Sequence, residues 1–390
     1  MHSRAITRVM AAALVIMAAA LVMTLGSVER AEAQATTAGD SARAAFFKEM
    51  RKPGTIAIAA SGPRAGEAVF RALEEAEKIS SGSIHGVAWF MAMTKDGKVH
   101  RFSNFGRGGT KTLFINGEET GTPPPAEIAE APFAGVVSTG PRDPTYRIYD
   151  PGKFPNGGDN VGFVVGHRLP NSIGKNGLPV DHEVYSQMQK GLSAREAVDK
   201  VMGANEDLDV GLIAVDRKGL VAMHNSALVD KRYDYGRARG EDPASGAVVE
   251  TIFNEIHPPQ AVAQLVVNVA LEIMSDARKP DFQILVKAGT RVDLASENVV
   301  EVDGSMQATR ITTTVAEHLK GEKVAVIPYI MTKVVQQGKT IGYTINEPLA
   351  VLQDGVLRTL STQKEMKIWV KTHPRICKYA TPTKTICEAL

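Results

Sequence analysis

An α/β body of two sheets with helical layers, followed by a β-rich carboxy-terminal region, is the fold class that the sequence predicts. Three observations carry it. The apolar run Thr55 to Ala60 breaks at Ser61-Gly62-Pro63 and gives way to helical spacing. Two further runs fold back on themselves around Asp96-Gly97 and Asp216-Arg217-Lys218-Gly219, the chemistry of hairpin turns. From Phe282 onward the pattern shifts to short strands separated by glycine turns. Composition agrees with a folded body: of 390 residues, 44% are hydrophobic and 23% charged, as in ordinary globular chains. That excludes a disordered chain, a collagen-like repeat and a multi-span membrane protein. A formal charge of +2 argues against a nucleic-acid binder, and two cysteines exclude a disulfide-rich scaffold or a paired Cys-x-x-Cys zinc site.

The elements follow in order. Arg4 and Arg8 precede the apolar run Val9 to Leu25, and Ala31-Glu32-Ala33 offers a small-x-small exit. Residues 1–33 therefore read as a secretory signal peptide, with an uncleaved anchor as the alternative. No cysteine follows the run, so a lipid anchor is excluded. Residues 34–53 are a weakly structured lead-in. Residues 54–279 form the main body. Its first strand is followed by a helix with Ala65, Ala68, Val69, Ala72, Leu73, Ala76 and Ile79 on one face. A hairpin joins Ile84–Met93 to Val99–Phe102, and Phe133–Thr139 and Val161–His167 are strand candidates. Ser193-Ala194-Arg195-Glu196 is a capping box opening a second helix. Val210–Val215 and Leu220–His224 make another hairpin. Gln260–Met274, apolar nearly all round, predicts a buried helix. Residues 280–375 form the β-rich region, and 376–390 a tail. In an exported chain, Cys377 and Cys387 read as a small terminal staple, with a reactive thiol as the alternative.

Several chemistries are set aside by spacing. Ser61 to Gly66 links strand to helix, but Glu67 stands where a phosphate loop needs Lys. Asp181-His182-Glu183 are adjacent on one element and do not converge on one ion, so no metal and no cofactor is expected. Gly-x-Ser-x-Gly is absent from the chain. An amino-terminal nucleophile remains. It needs Thr, Ser or Cys opening a strand and uses its own α-amine as general base. Thr55 opens the first strand after Gly54, although a β-branched residue also suits a strand start for structural reasons.

The segment Gly54 to Ala59, the segment Gly191 to Val198 and the hairpin Gly211 to Gly219 resemble pieces of the Ntn-hydrolases. The nearest flavour is the isoaspartyl peptidase and asparaginase group, and an uncharacterised bacterial family of the same fold. The resemblance implies a four-layer αββα sandwich, with Thr55 freed by processing to attack an amide. It also implies an oxyanion held by backbone or small polar groups. It departs from isoaspartyl peptidases in placing the Gly-Thr junction near the start of the chain, and in the order Gly108-Gly109-Thr110. Gly108 and Gly109 are the candidate oxyanion loop or else an ordinary turn. His224 and Asn225 follow the second hairpin as a polar site or a solvated strand end. Arg232, Asp234 and Arg237 are a carboxylate clamp or solvated loop charge. The expectation is a periplasmic or secreted amide-bond hydrolase acting on a small molecule or peptide. The alternative is a non-catalytic ligand- or partner-binding protein. Neither contacts nucleic acid, nor a membrane after signal cleavage; a homo-oligomer is left open.

Overall fold

The computed structural model describes residues 54–80, 84, 87–103, 110, 123–139, 156–277, 279–358 and 365–389. The expected signal peptide and lead-in, residues 1–53, and the loop glycines Gly108 and Gly109 lie outside the described residues. The first part of the body runs β1 (Thr55–Ser61), α1 (Ala65–Ile79), β2 (Val87–Met93), β3 (Val99–Ser103), α2 (Ala126–Ala129) and β4 (Phe133–Thr139). It continues β5 (Asn156–Gly158), β6 (Gly162–Arg168), α3 (Val180–Gln189), α4 (Ala194–Ala204), β7 (Val210–Asp216), β8 (Val221–Asn225) and α5 (Ala227–Asp230). β9 (Tyr235–Asp242), β10 (Ala247–Asn254) and α6 (Pro259–Met274) follow. Ten strands, β11 to β20, lie between Phe282 and Lys371, and β21 (Arg375–Thr381) and β22 (Lys384–Ala389) close the chain.

These strands build an eight-stranded sheet, β21-β22-β9-β10-β1-β4-β2-β3, a four-stranded sheet, β5-β6-β7-β8, and a ten-stranded sheet made of β11 to β20. β1 sits inside the first sheet, antiparallel to both β10 and β4, and is buried along its whole length. Its strict alternation sends Ile56, Ile58 and Ala60 into a core shared with α1 and α6. Ala57 and Ala59 enter a second core with Phe163, Val165, Ile213 and Val215 of the four-stranded sheet. A strand buried on both faces has to be apolar on both, which is why the sequence shows a run rather than an alternation. α3 and α4 cover the far face of the four-stranded sheet through Val184, Val198, Val201 and Met202, and the Ser193–Glu196 capping box opens α4. α6 buries one face only; Leu265 on it is exposed.

The expectation of an α/β fold class and a four-layer αββα sandwich is corrected. The chain is β-rich, with large mixed sheets and a half-barrel, and its helices are covers on sheets. The cause is strand direction. The described ladders are mainly antiparallel, and antiparallel neighbours need no crossover helix between them. Among the described residues, the ladders that run parallel are those of 291–294 with 310–313, 299–302 with 333–336, and 384–386 with 239–241. The ten-stranded sheet folds around its own core of Ile284, Val300, Ile311, Val334, Leu352 and Ile368. It therefore adds a second β body that no helix needs to cover.

Residues 375–389, read from sequence as mostly tail, are also strand. Cys377 and Cys387 face each other in register and are joined by a disulfide, as the sequence suggested. β22 pairs with β9, and the Arg375 guanidinium meets the fully buried Asp242 carboxylate. The end of the chain is thereby fastened to the first sheet.

Candidate functional site at the start of the first strand

The same alternation that builds the core between the two stacked sheets brings polar residues together at one end of it. Continuing β1 back past Ala57 places Thr55 on the inter-sheet face. The ladder sets Thr139 and Asn254 beside it as its register partners. In the opposing sheet the face that carries Phe163 and Val165 reaches His167. The face that carries Ile213 and Val215 begins at Gly211, and Val221 leads to Asn225. Thr55, Asn254, His167 and Asn225 are all buried. Apolar layers thus end in a polar one, where every buried group needs a partner.

The Thr55 hydroxyl donates to Asn254 Oδ1 at 2.7 Å and accepts from the Arg168 backbone N–H at 2.7 Å. The Thr55 backbone N–H also donates to Asn254 Oδ1, at 3.3 Å. Arg168 holds a φ of 64°, a left-handed conformation that an arginine adopts at a cost and that recurs where a backbone group must be aimed. Its side chain is anchored by both carboxylate oxygens of Asp209, at 3.0 and 3.1 Å from Nε. Asn254 Nδ2 is buried without a hydrogen-bond partner, and so is His167 Nδ1. His167 Nε2 faces Asn225 Oδ1 at 3.3 Å. Burial pulls the imidazole pKa down to about 4, against the opposing pull of Asn225, Asp209 and Asn254, so the ring is neutral at physiological pH. Gly54 precedes Thr55 in a tight place: a Cβ there would lie 2.7 Å from the Asn254 carbonyl oxygen.

Of the residues singled out from sequence, Thr55 and Asn225 lie in this cluster. His224 does not. One position from Asn225 on a strand, it points to the opposite face and binds Asp199 of α4 at 2.8 Å. Arg232 and Asp234 lie in the loop that leads into β9, whose first residue pairs with Asn254. They form a two-point ion pair with each other, which holds the Asp234 carboxyl below its usual range, so this guanidinium is already occupied by a carboxylate. Arg237 reaches Asp230 at 3.4 Å. Asp181 and Glu183 are buried on α3, and among the described residues no cluster of His, Cys, Asp and Glu could hold a metal ion. A cavity of about 510 Å³ lies at the other end of the four-stranded sheet, lined by Asn160, Leu192, Ser193, Asp216 and Arg217. The Asp216 carboxylate there is taken by the N–H groups of Ala194, Lys218 and Leu220.

Sequence reasoning missed Asn254, His167 and Arg168. The alternation Val248, Glu250, Ile252, Asn254 marks a strand whose last residue is polar, and His167 ends a strand in the same way. Those were the available signals. A comparison with curated proteins finds no match. Residues 289–365 match a second family described as a domain of unknown function (DUF7259). Neither family description names a hydrolase. Residues 55–283, more than half of the chain, match the family described as a domain of unknown function (DUF6963), and the chain belongs to that family.

Proposed function

We propose that the protein is an exported amide-bond hydrolase, a peptidase or amidohydrolase, whose nucleophile is the Thr55 hydroxyl after cleavage of the Gly54–Thr55 bond. One observation carries this reading. The hydroxyl is fixed between an acceptor and a backbone donor, and the amide that accepts from it keeps a buried Nδ2 donor without a partner. A preorganised donor beside an attacking oxygen is what stabilises the oxyanion of amide attack, and removing one such donor costs roughly 3–4 kcal/mol of barrier. The family match, which opens at residue 55, is in keeping with a domain that begins at the nucleophile. The apolar run Val9 to Leu25 behind Arg4 and Arg8 and the Cys377–Cys387 disulfide support export to the periplasm or medium, where disulfides persist.

The processing step balances without a co-reactant other than water. Thr55 Oγ1 attacks the Gly54 carbonyl carbon, the new C–O bond replaces the C–N bond, and the hydroxyl proton ends on the Thr55 nitrogen. Water hydrolyses the resulting ester to a Gly54 carboxylate and a free Thr55. The freed α-amine lies within reach of Asn254 Oδ1 and becomes the general base for later substrates. The test is labelling by an amide-mimicking electrophile such as a β-lactone, read by mass spectrometry. Wild type acquires one adduct on Thr55, Thr55→Ser retains part of it, and Thr55→Ala loses it while staying folded. An adduct that persists in Thr55→Ala defeats the assignment. A non-catalytic ligand-binding role is the second reading. It is favoured by the 6% exposure of Thr55 with Gly54 attached, and a wild-type protein that never labels would select it.

A further inference from the structure

Beyond the nucleophile lies a line of polar side chains that the proposed reaction does not yet use. Asn225 Nδ2 donates to Asp230 Oδ1 at 3.2 Å, and Asp230 is a surface carboxylate with 42% of its side chain exposed. Asn225 Oδ1 faces His167 Nε2. The Asn254 side chain abuts the imidazole, and the two atoms left over on these neighbours are a donor, Asn254 Nδ2, and a ring nitrogen, His167 Nδ1. Asn254 Oδ1 then receives the Thr55 hydroxyl.

Each amide or imidazole of this line could be turned either way, whereas its first member, the Asp230 carboxylate, could not. An ionised carboxylate only accepts. Asn225 must therefore show its NH₂ to Asp230 and its oxygen to His167. Facing an oxygen, His167 Nε2 must carry the proton, which leaves Nδ1 bare. A bare Nδ1 suits the NH₂ of Asn254, and that turns Oδ1 toward Thr55. We propose that Asp230, Asn225 and His167 are positioning residues that set the orientation of the Asn254 amide, and through it the direction of the Thr55 hydroxyl. In this orientation one hydrogen of Asn254 Nδ2 is turned to His167 Nδ1, although neither atom holds a hydrogen bond at the present separation, and the other stays available to an oxyanion. Gly211 makes the line possible, because any side chain there would occupy the space between Asn225 and His167. Burial helps it persist: His167 and Asn254 are fully shielded from water, so water does not compete for the bonds.

This inference rests on the Thr55 reading for its catalytic consequence, but its geometry can be read without activity. Asp230 lies on the surface, so Asp230→Ala folds. ¹⁵N spectra of the histidine rings in the mature protein report which nitrogen carries the proton. In wild type His167 is protonated at Nε2 and bare at Nδ1 near neutral pH. In Asp230→Ala the two tautomers mix, and Asp230→Glu, which restores an acceptor, recovers the single form. Self-cleavage at Gly54–Thr55 follows in parallel, slowing roughly five- to tenfold in Asp230→Ala, the size of one lost hydrogen bond, with recovery in Asp230→Glu. An unchanged tautomer in Asp230→Ala overturns the line, and so does an Nδ1-protonated ring in wild type. Normal tautomer behaviour without any cleavage in wild type leaves the line standing and overturns the nucleophile instead.

Discussion

Gly211→Ala is a one-carbon change whose sign runs against the usual rule. Glycine inside a strand ordinarily weakens it, and alanine there gains about 0.5–1 kcal/mol from the unfolded chain's lost freedom. Gly211 pairs with His167 on one side and Asn225 on the other. A Cβ at this position would stand 2.1 Å from Asn225 Oδ1 and 2.5 Å from His167 Nε2, inside contact distance of both. Neither group can yield freely, since the imidazole is fully buried and the amide is held by Asp230. Two costs follow. Overpacking a rigid site costs about 1–3 kcal/mol, and parting the His167–Asn225 pair strands a buried polar group at about 1–3 kcal/mol. Set against the gain from chain entropy, the net is a destabilisation of about 2–4 kcal/mol. Urea unfolding of the purified protein, followed by circular dichroism and by tryptophan fluorescence, measures it. A variant within about 0.5 kcal/mol of wild type, the ordinary scatter of harmless changes, refutes the tight packing of this layer.

His167 makes stability depend on pH. The unfolded chain takes up a proton near the ordinary value of 6.5, and the folded chain only near about 4. The contribution is complete above 6.5 and is lost as pH falls toward 4, by about 3 kcal/mol in all. Unfolding free energies measured from pH 7 to pH 4 should show that slope in wild type and lose most of it in His167→Gln; equal slopes contradict the burial argument. The Cys377–Cys387 link closes a loop spanned by a sequence separation of 10, and its loss should cost about 2–3 kcal/mol. Comparison of the melting temperatures of the oxidised protein and of Cys377→Ser/Cys387→Ser checks this, and indistinguishable values count against it.

How far the sequence could be read depended on what each element has to satisfy. β1, β4 and the two hairpins were legible because local chemistry specifies them: an apolar run, a β-branched run, and turns built on Asp-Gly or on Asp216 to Gly219. The capping box at Ser193 was legible for the same reason, since cap and acceptor are three residues apart. β9 was not. Its sequence, Tyr-Gly-Arg-Ala-Arg-Gly-Glu-Asp, looks like a charged loop. In the sheet, Gly236, Ala238 and Gly240 lie under Phe253, Val267 and Leu271, while Arg239 meets the buried Glu250 of β10. Small residues appear there because α6 packs close, a tertiary demand with no local signature. The site divides in the same way. Thr55 announces itself by opening a strand after glycine. Its partners Asn254 and Arg168 lie far away along the chain, as does the neighbouring His167, and only sheet register brings them together. His224 shows the limit of local reading, because one step along a strand moves a side chain to the opposite face.

Whether Thr55 becomes an amino terminus is the most direct question, and amino-terminal sequencing with intact-mass measurement of the purified wild-type protein answers it. The expected result is a chain that begins Thr55-Ile56-Ala57, accumulates with time in neutral buffer, and is absent from Thr55→Ala. A wild-type protein that keeps Gly54 attached after prolonged incubation, with its mass unchanged, contradicts the assignment of Thr55 as a nucleophile.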